Sequence, residues 1–243
     1  GAKRYMELSQ ASLYLYAKSQ EEDKKPRSSG TVKINNCLEE LDINSCINET
    51  SEKLISHLNY EAIETNKYLI CFTPESFLQL ISAFSSMFNA RSILDGISLM
   101  NKESIGTEIA VKNLNISDEG LHPENVGAFS FDGEGTPTQN INLIESGTLT
   151  NLLHSEATAR KFGVKPTGHA GLGAKVSVSP DWLVIRKSNQ YPDKEIGLNI
   201  KTTQKEYILI EELSALHSGV KASQGSFSLP FDGWLVKNGA KKS

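Results

Sequence analysis

The first regular pattern in the chain lies at Ala11–Ala17. There Leu13 and Leu15 alternate with Tyr14 and Tyr16, and a period of two predicts a strand. Thr31–Asn35 repeats the pattern with Val32 and Ile34 on one face, and the charged stretch Gln20–Gly30 between them predicts a solvated or mobile loop. Asp42 then reads as a helix N-cap, because its carboxylate can accept from the open amides of a first turn. Ile43, Ile47, Leu54, Ile55 and Leu58 follow at helical spacing, which predicts one apolar stripe laid on a sheet. Tyr68–Phe72 is a continuous apolar run and predicts a strand covered on both faces. Thr73-Pro74-Glu75 supplies a capping hydroxyl, a first-turn proline and a carboxylate at the positive end of the dipole. Phe77, Leu80, Ile81, Phe84, Met87 and Phe88 give the predicted helix Glu75–Leu94 the broadest apolar face in the chain.

After Asp95-Gly96 the texture becomes short β-like segments separated by Gly, Pro, Asn and Asp. They fall at Glu108–Val111, Leu114–Ser117, Ile141–Ile144, Thr148–Leu152, Lys175–Val178, Trp182–Ile185, Tyr207–Ile210, Ser226–Leu229 and Gly233–Val236. Glu145-Ser146-Gly147 predicts a hairpin turn, and Ser155 caps a short helix that ends in Arg160-Lys161 before Gly163. Phe227, Phe231 and Trp234 are expected to fill a β core. The fold class is α+β: a sheet–helix layer in the first part, then an antiparallel β-rich second half, barrel- or sandwich-like. Both ends read as cut, since Gly1-Ala2 resembles a cloning remnant and Asn238-Gly239 is a turn signal with no closing element after it.

Composition narrows the class. The chain has 243 residues, 38% hydrophobic and 22% charged, as expected of a soluble globular protein. A net charge of −4 lacks the basic face of a nucleic-acid binder. No apolar run reaches the roughly 18–20 residues of a membrane span, and Cys37, Cys46 and Cys71 show no zinc-finger spacing. The expected location is the cytoplasm.

The densest cluster of reactive residue types is Phe129–Lys175. Its Asp132-Gly133-Glu134-Gly135 reads either as an acid/base pair or as a tight turn whose carboxylates face water, the second being the commoner use. Gly168–Gly173 carries amides that could cradle an anion, but without the G-x-G-x-x-G pattern. The five histidines, His57, His122, His154, His169 and His217, include no two at the three-to-five-residue spacing of a zinc helix. A composite site using His154 and His169 is left open. His217 reads as a partly buried histidine or loop anchor. No G-x-S-x-G elbow is present. The residues taken alone define a binding scaffold and no reaction.

One ordered set of motifs goes further. Phe131, Asp132, Glu134, Gly135, Pro137 and Thr138 are followed by Leu143, Glu145, Gly147 and Leu149, then by Ala159, Arg160, Lys161 and Gly163, then by Thr167, Gly168 and Ala170. Together with the closing segment Glu212–Gly239, this resembles the TldD/PmbA family, the proposed modulators of DNA gyrase. TldD-type members are zinc metallopeptidases with an H-E-x-x-x-H helix, and PmbA (TldE) types lack it and pair with TldD in peptide maturation or proteolysis. The resemblance places that helix at Glu75–Leu94, with Gln79, Leu80, Ile81 and Ser82 where ligands and base would lie. It therefore implies a cyanobacterial-style PmbA/TldE-like subunit with no catalytic residue and no metal of its own. Zinc is expected in a TldD-like partner or, failing that, the chain forms a homodimer. Residues 1–66 would be a remnant of, or link to, an N-terminal α/β region, and residues 67–243 an incomplete C-terminal β-rich domain. Candidate substrate- or partner-binding residues are Asp132, Glu134, Thr138, His154, Arg160, Thr167, Gly168 and His169. The partners implied are a peptide and a second subunit, with neither nucleic acid nor membrane. Two alternatives are a peptidase with an atypical metal site that includes His154, His169 or Glu134, and a gyrase regulator suggested by the family's name.

Overall fold

The computed structural model describes residues 3–22, 26–58, 61–189 and 206–242. The chain divides into a smaller unit, Tyr5–Lys67, and a larger one built on Tyr68–Lys242.

In the smaller unit, β1 (Ala11–Ser19) and β2 (Arg27–Asn35) form an antiparallel hairpin in register from Ala11↔Asn35 to Ser19↔Arg27. The loop between them is thus shorter than its charge suggested: β2 starts at Arg27, with Ser29 buried and the Tyr14 ring lying against Gly30. Of the predicted loop, residues 23–25 lie outside the described residues. Helix α1 (Ile43–Ser56) starts as expected, with Asp42 accepting from the Ser45 amide at 2.8 Å. Its seam differs from the expected stripe. Cys46 and Thr50 are the buried positions, one turn apart, while Ile43, Ile47 and Ile55 remain exposed on either flank. The cap fixes where the helix begins, and hence which face meets the hairpin. Cys46 and Thr50 are small enough for close approach there.

In the larger unit, β3 (Ile70–Phe72) runs parallel to β10 (Glu206–Leu213). It forms the edge of a four-stranded sheet ordered β14 (Ala240–Lys242), β13 (Phe231–Lys237), β10, β3. This corrects the expectation of a strand covered on both faces; Ile70 is 38% exposed. Thr73 caps α2 (Pro74–Ala83) by accepting from the Ser76 amide, and the Ser76 hydroxyl donates to the Ile210 carbonyl at 2.8 Å. The helix start is thereby stapled to β10.

The predicted helix Glu75–Leu94 is broken. A tight turn of helix at Ser85–Phe88 follows α2, Asn89 is extended, and α3 (Ala90–Leu94) restarts under an Asn89 cap. The Asn89 amide also donates to the Val178 carbonyl at 2.6 Å, a long-range bond that fixes the break. Its consequence is two cores served by one segment. Leu80 packs with Ile208, Ile210 and Leu213, and Phe88 packs with Leu143, Leu149 and Leu153. A straight helix would not reach both.

The second core backs another sheet, ordered β6 (Thr148–Leu149), β5 (Asn140–Glu145), β4 (Leu114–Glu119), β9 (Leu183–Lys187). Ser146 and Gly147 both have positive φ in the β5–β6 turn, the geometry of a tight two-residue hairpin. No barrel closes among the described residues; the β-rich half is two separate four-stranded sheets plus two short antiparallel pairs, β7 (Ala170–Gly171) with β8 (Ser177–Val178) and β11 (Val220–Lys221) with β12 (Ser226–Phe227). Asn238-Gly239, read as an unclosed turn, joins β13 to β14 with both residues at positive φ. Phe227 and Phe231 are 52% and 37% exposed, so they do not fill the core as expected. No helix of the described residues is long and apolar enough to cross a membrane.

Candidate functional site

The two loops singled out by the sequence are bonded to each other. Asp132 Oδ1 accepts from the amides of Glu134 and Thr136, and its Oδ2 accepts from the Ala170 amide at 3.0 Å. The Gly133 amide donates back to the Ala170 carbonyl at 2.7 Å. Glu134 Oε2 accepts from the Glu156 amide at 2.7 Å, at the first turn of α4 (Glu156–Phe162), where a carboxylate is favoured by the helix dipole. Ser155 caps the same helix and Gly163 ends it at φ 71°. Thr138 donates its hydroxyl to the Phe129 carbonyl. The carboxylates of this loop are committed to holding its shape, and Arg160 is held by Glu156 on the exposed side of α4.

Beneath these loops lies a buried polar chain. His169, which follows Gly168 at φ 78°, sets its Nε2 3.0 Å from Asp118 Oδ1 and its Nδ1 2.9 Å from the Thr167 hydroxyl. Asp118 Oδ2 accepts from the amides of Asp181 and Trp182. With Asp118 accepting from Nε2, Nδ1 faces the Thr167 hydroxyl, whose single proton is divided between that nitrogen and the His154 carbonyl, 3.2 Å away. The Thr167 oxygen also accepts from the His154 amide at 2.8 Å. Carboxylate, imidazole and hydroxyl stand in line, the parts of a nucleophilic triad. All three are buried and the hydroxyl has partners on both sides, so no substrate reaches it. Burial raises the Asp181 carboxyl above its ordinary value, the charges of Asp118 and Asp132 add to the rise, and His169 opposes it.

His154 is 4% exposed, its ring meets Phe162 edge-on, and its Nδ1 has no hydrogen-bond partner among the described residues. Burial lowers its pKa to about 4. The unfolded histidine takes a proton below about 6.5, whereas the folded one does not until near 4, so stability is full above the first value and drains away between the two. His154→Leu should flatten that loss: the difference in urea midpoint between pH 7 and pH 5 should shrink relative to the unmutated chain. An unchanged difference would place the acid sensitivity elsewhere.

The surface beside this network is a cleft of about 1100 Å³, walled by β9 on one side and by the β3–α2 junction on the other. Trp182 and His122 lie nearly parallel in its lining, 5.8 Å between ring centres. Arg186 of β9 is held by Glu119, and that contact keeps the Glu119 carboxyl down at about 2. A second groove of about 630 Å³ runs along α2 past Glu75, Leu78, Gln79 and Ser82 to His217, which is exposed and anchors no core.

A hydrolytic zinc needs about three converging nitrogen, oxygen or sulfur ligands. The groove along α2 offers the Glu75 carboxylate and, opposite it, His217, but no third ligand of that kind among the described residues; Gln79 Oε1 already accepts from the Leu213 amide at 3.2 Å, and Ser82 is a hydroxyl. Among the described residues, one set of three ligand-type side chains converges: Asp118, His169 and Asp181, with ligand atoms within 4.8 Å of each other. Both oxygens of Asp118 in that set are spent on hydrogen bonds. Neither set fits the ion.

Seven of the eight sequence-predicted residues thus join one network of loops, with Thr138, His154, Thr167, Gly168 and His169 inside it and Asp132 and Glu134 tying its outer turn. Arg160 stays at the surface. Sequence reasoning missed Asp118, Asp181, Trp182 and His122. Asp118 alone carried a signal: it lies two residues after Ile116, on the core-facing side of its strand, where a charge demands a partner.

The fold and site define an α+β domain in which buried polar groups hold two loops beside a long cleft. The chain belongs to the TldD/PmbA family: residues 65–243 match the PmbA/TldA metallopeptidase C-terminal domain. It is 31% identical over 155 residues to a metalloprotease of Methanothermobacter thermautotrophicus, covering 63% of this chain and 33% of that one. It is 25% identical over 193 residues to metalloprotease PmbA of Escherichia coli O157:H7, covering 79% and 39%. A candidate modulator of a DNA gyrase from Thermotoga maritima superposes with a TM-score of 0.81 at 26% identity, over 95% of this chain and 51% of that one. TldE from Thermococcus kodakarensis shares the fold, with a TM-score of 0.71 at 17% identity, over 96% and 52%. The chain spans about a third of the curated relatives' length and half of the solved structures'.

Proposed function

We propose that the chain is a non-catalytic, PmbA/TldE-like subunit of a cytoplasmic metallopeptidase assembly that matures or degrades peptides. The observation that carries this reading is α2. Its Gln79 amide is engaged by Leu213, its Leu80 belongs to the core, and its Ser82 is a hydroxyl, where the resemblance expects zinc ligands and a base. A TldD-like partner would supply the zinc, which polarises a carbonyl and activates water. This chain's part is to complete the substrate cleft. Strand β9 has a neighbour on one side only among the described residues and lines the cleft along its whole length. Such an edge takes up an extended peptide through main-chain hydrogen bonds.

The test is co-expression of the chain with a TldD homologue from the same genome, followed by purification on a tag carried by this chain. Stoichiometric recovery of the partner, zinc confined to the partner, and peptidase activity present only in the pair are expected. Zinc and peptidase activity in this chain alone would overturn the reading.

A further inference from the structure

The cleft has a chemical preference written in its walls, and this inference rests on the reading above. Its floor and sides are mostly apolar, with Phe77 and Leu78 of α2 facing the same space as Trp182, Leu183 and Ile185. One flat platform stands out. Trp182 and His122 stack on each other, 14° from parallel, with the Trp182 backbone amide held by Asp118 and the His122 ring held by the Glu124 amide donating to Nδ1, so the stack presents its outer face. A rigid aromatic face loses little entropy on binding and favours a flat or cationic side chain laid over it.

The charges around that platform are one-sided. Glu75, Glu124 and Asp181 line the cleft. Of the two cations on the wall, Arg186 is already bound by Glu119 and Ser117, and Lys187 stands at the opposite end of β9 from Trp182. Glu124, beside His122, makes the platform's own end of the cleft negative, and Glu75, in the first turn of α2, adds a carboxylate to the same lining.

We infer that this cleft selects extended peptide segments carrying an aromatic side chain flanked by basic residues, with Trp182 and His122 receiving the ring and Glu75 and Glu124 the flanking cations. Trp182 is in this sense a specificity-determining residue, while Asp118 positions it from within.

Isothermal titration of the chain with a doubly capped Gly-Lys-Phe-Lys-Gly peptide tests this. Its affinity should exceed that of the Gly-Lys-Ala-Lys-Gly and Gly-Glu-Phe-Glu-Gly peptides by about tenfold or more, the equivalent of about 1.4 kcal/mol. Trp182→Ala should bring the phenylalanine peptide down to the affinity of the alanine peptide and leave the latter unmoved. Glu75→Gln with Glu124→Gln should erase the preference for lysine over glutamate and flatten the salt dependence. Equal affinities for the three peptides, or none for any of them, would overturn the inference; should Trp182→Ala fail to fold, the peptide series on the unmutated chain decides alone. A chain that co-purifies with its TldD homologue but ignores the peptide loses this inference and keeps the subunit reading. A chain that selects the peptide but never pairs does the reverse.

Discussion

Asp118→Ala should cost the larger unit roughly 3–5 kcal/mol, because each buried donor left without an acceptor costs about 1–3 kcal/mol. For a chain of this size that corresponds to a fall in thermal midpoint of roughly 6–20 °C. The size of the effect follows from what is left behind. Asp118 is fully buried and is the common acceptor of His169 Nε2 and of the Asp181 and Trp182 amides, so the truncation strands three donors at once. Asp118→Asn keeps the shape but brings an amide donor against at least one of those three donors, so it should fall between alanine and the unmutated chain. Differential scanning fluorimetry orders the three proteins. A functional trace should accompany the loss, because the freed backbone is that of Trp182 in the cleft wall. Even below the melting point, the alanine variant should bind the aromatic peptide more weakly. A midpoint shift under about 2 °C would mean that the hub is solvated and the three donors find water instead.

How much of this was legible beforehand depends on the range of the interaction. Features made within four residues were readable: Asp42, Thr73 and Ser155 cap their helices, Gly163 ends one at positive φ, and Ser146-Gly147 turns a hairpin. Most strand positions were readable too, since turn residues bracket them, but the strand expected at Glu108–Val111 is only a single bridge from Glu108 to Thr148. What failed was set by partners far along the chain. Asn89 breaks the apolar segment after α2 because Val178, 89 residues on, takes its amide. The α1 seam runs through Cys46 and Thr50 because of the hairpin it meets, and Tyr68–Phe72 looked like a central strand because an edge strand beside a helix is also apolar. The candidate site divided the same way. Glycine spacing exposed the loops, but that His169 serves Asp118, 51 residues earlier, has no local sign, and neither does the pairing of Trp182 with His122.

Gly168→Ala is expected to be as damaging as the loss of Asp118, for a steric reason that a second glycine isolates. Gly168 sits at φ 78°, and a Cβ there would lie 2.3 Å from the Pro137 carbonyl oxygen and 2.8 Å from Thr138 Cα. Both obstacles are backbone of the facing loop, so neither can swing aside. Gly163 has nearly the same backbone, φ 71°, with nothing within 4 Å of its would-be Cβ. Gly163→Ala therefore measures the left-handed conformation alone, about 1–2 kcal/mol. Gly168→Ala adds the overlap, which comparable overpacking puts at about 1–3 kcal/mol more. The relief available to the protein is to push the Thr167–Ala170 strip off the Asp132–Thr138 turn. That lengthens the Ala170-to-Asp132 bond and pulls His169 from Asp118. The overlap should thus surface as lost coupling as well as lost stability: in a Gly168→Ala background, Asp118→Ala should cost visibly less than it does alone, because the bonds it breaks are already weakened. Chemical denaturation of the four proteins completes the cycle. Additive costs, or a Gly168→Ala penalty no larger than that of Gly163→Ala, would mean that the two loops are not pressed together in solution.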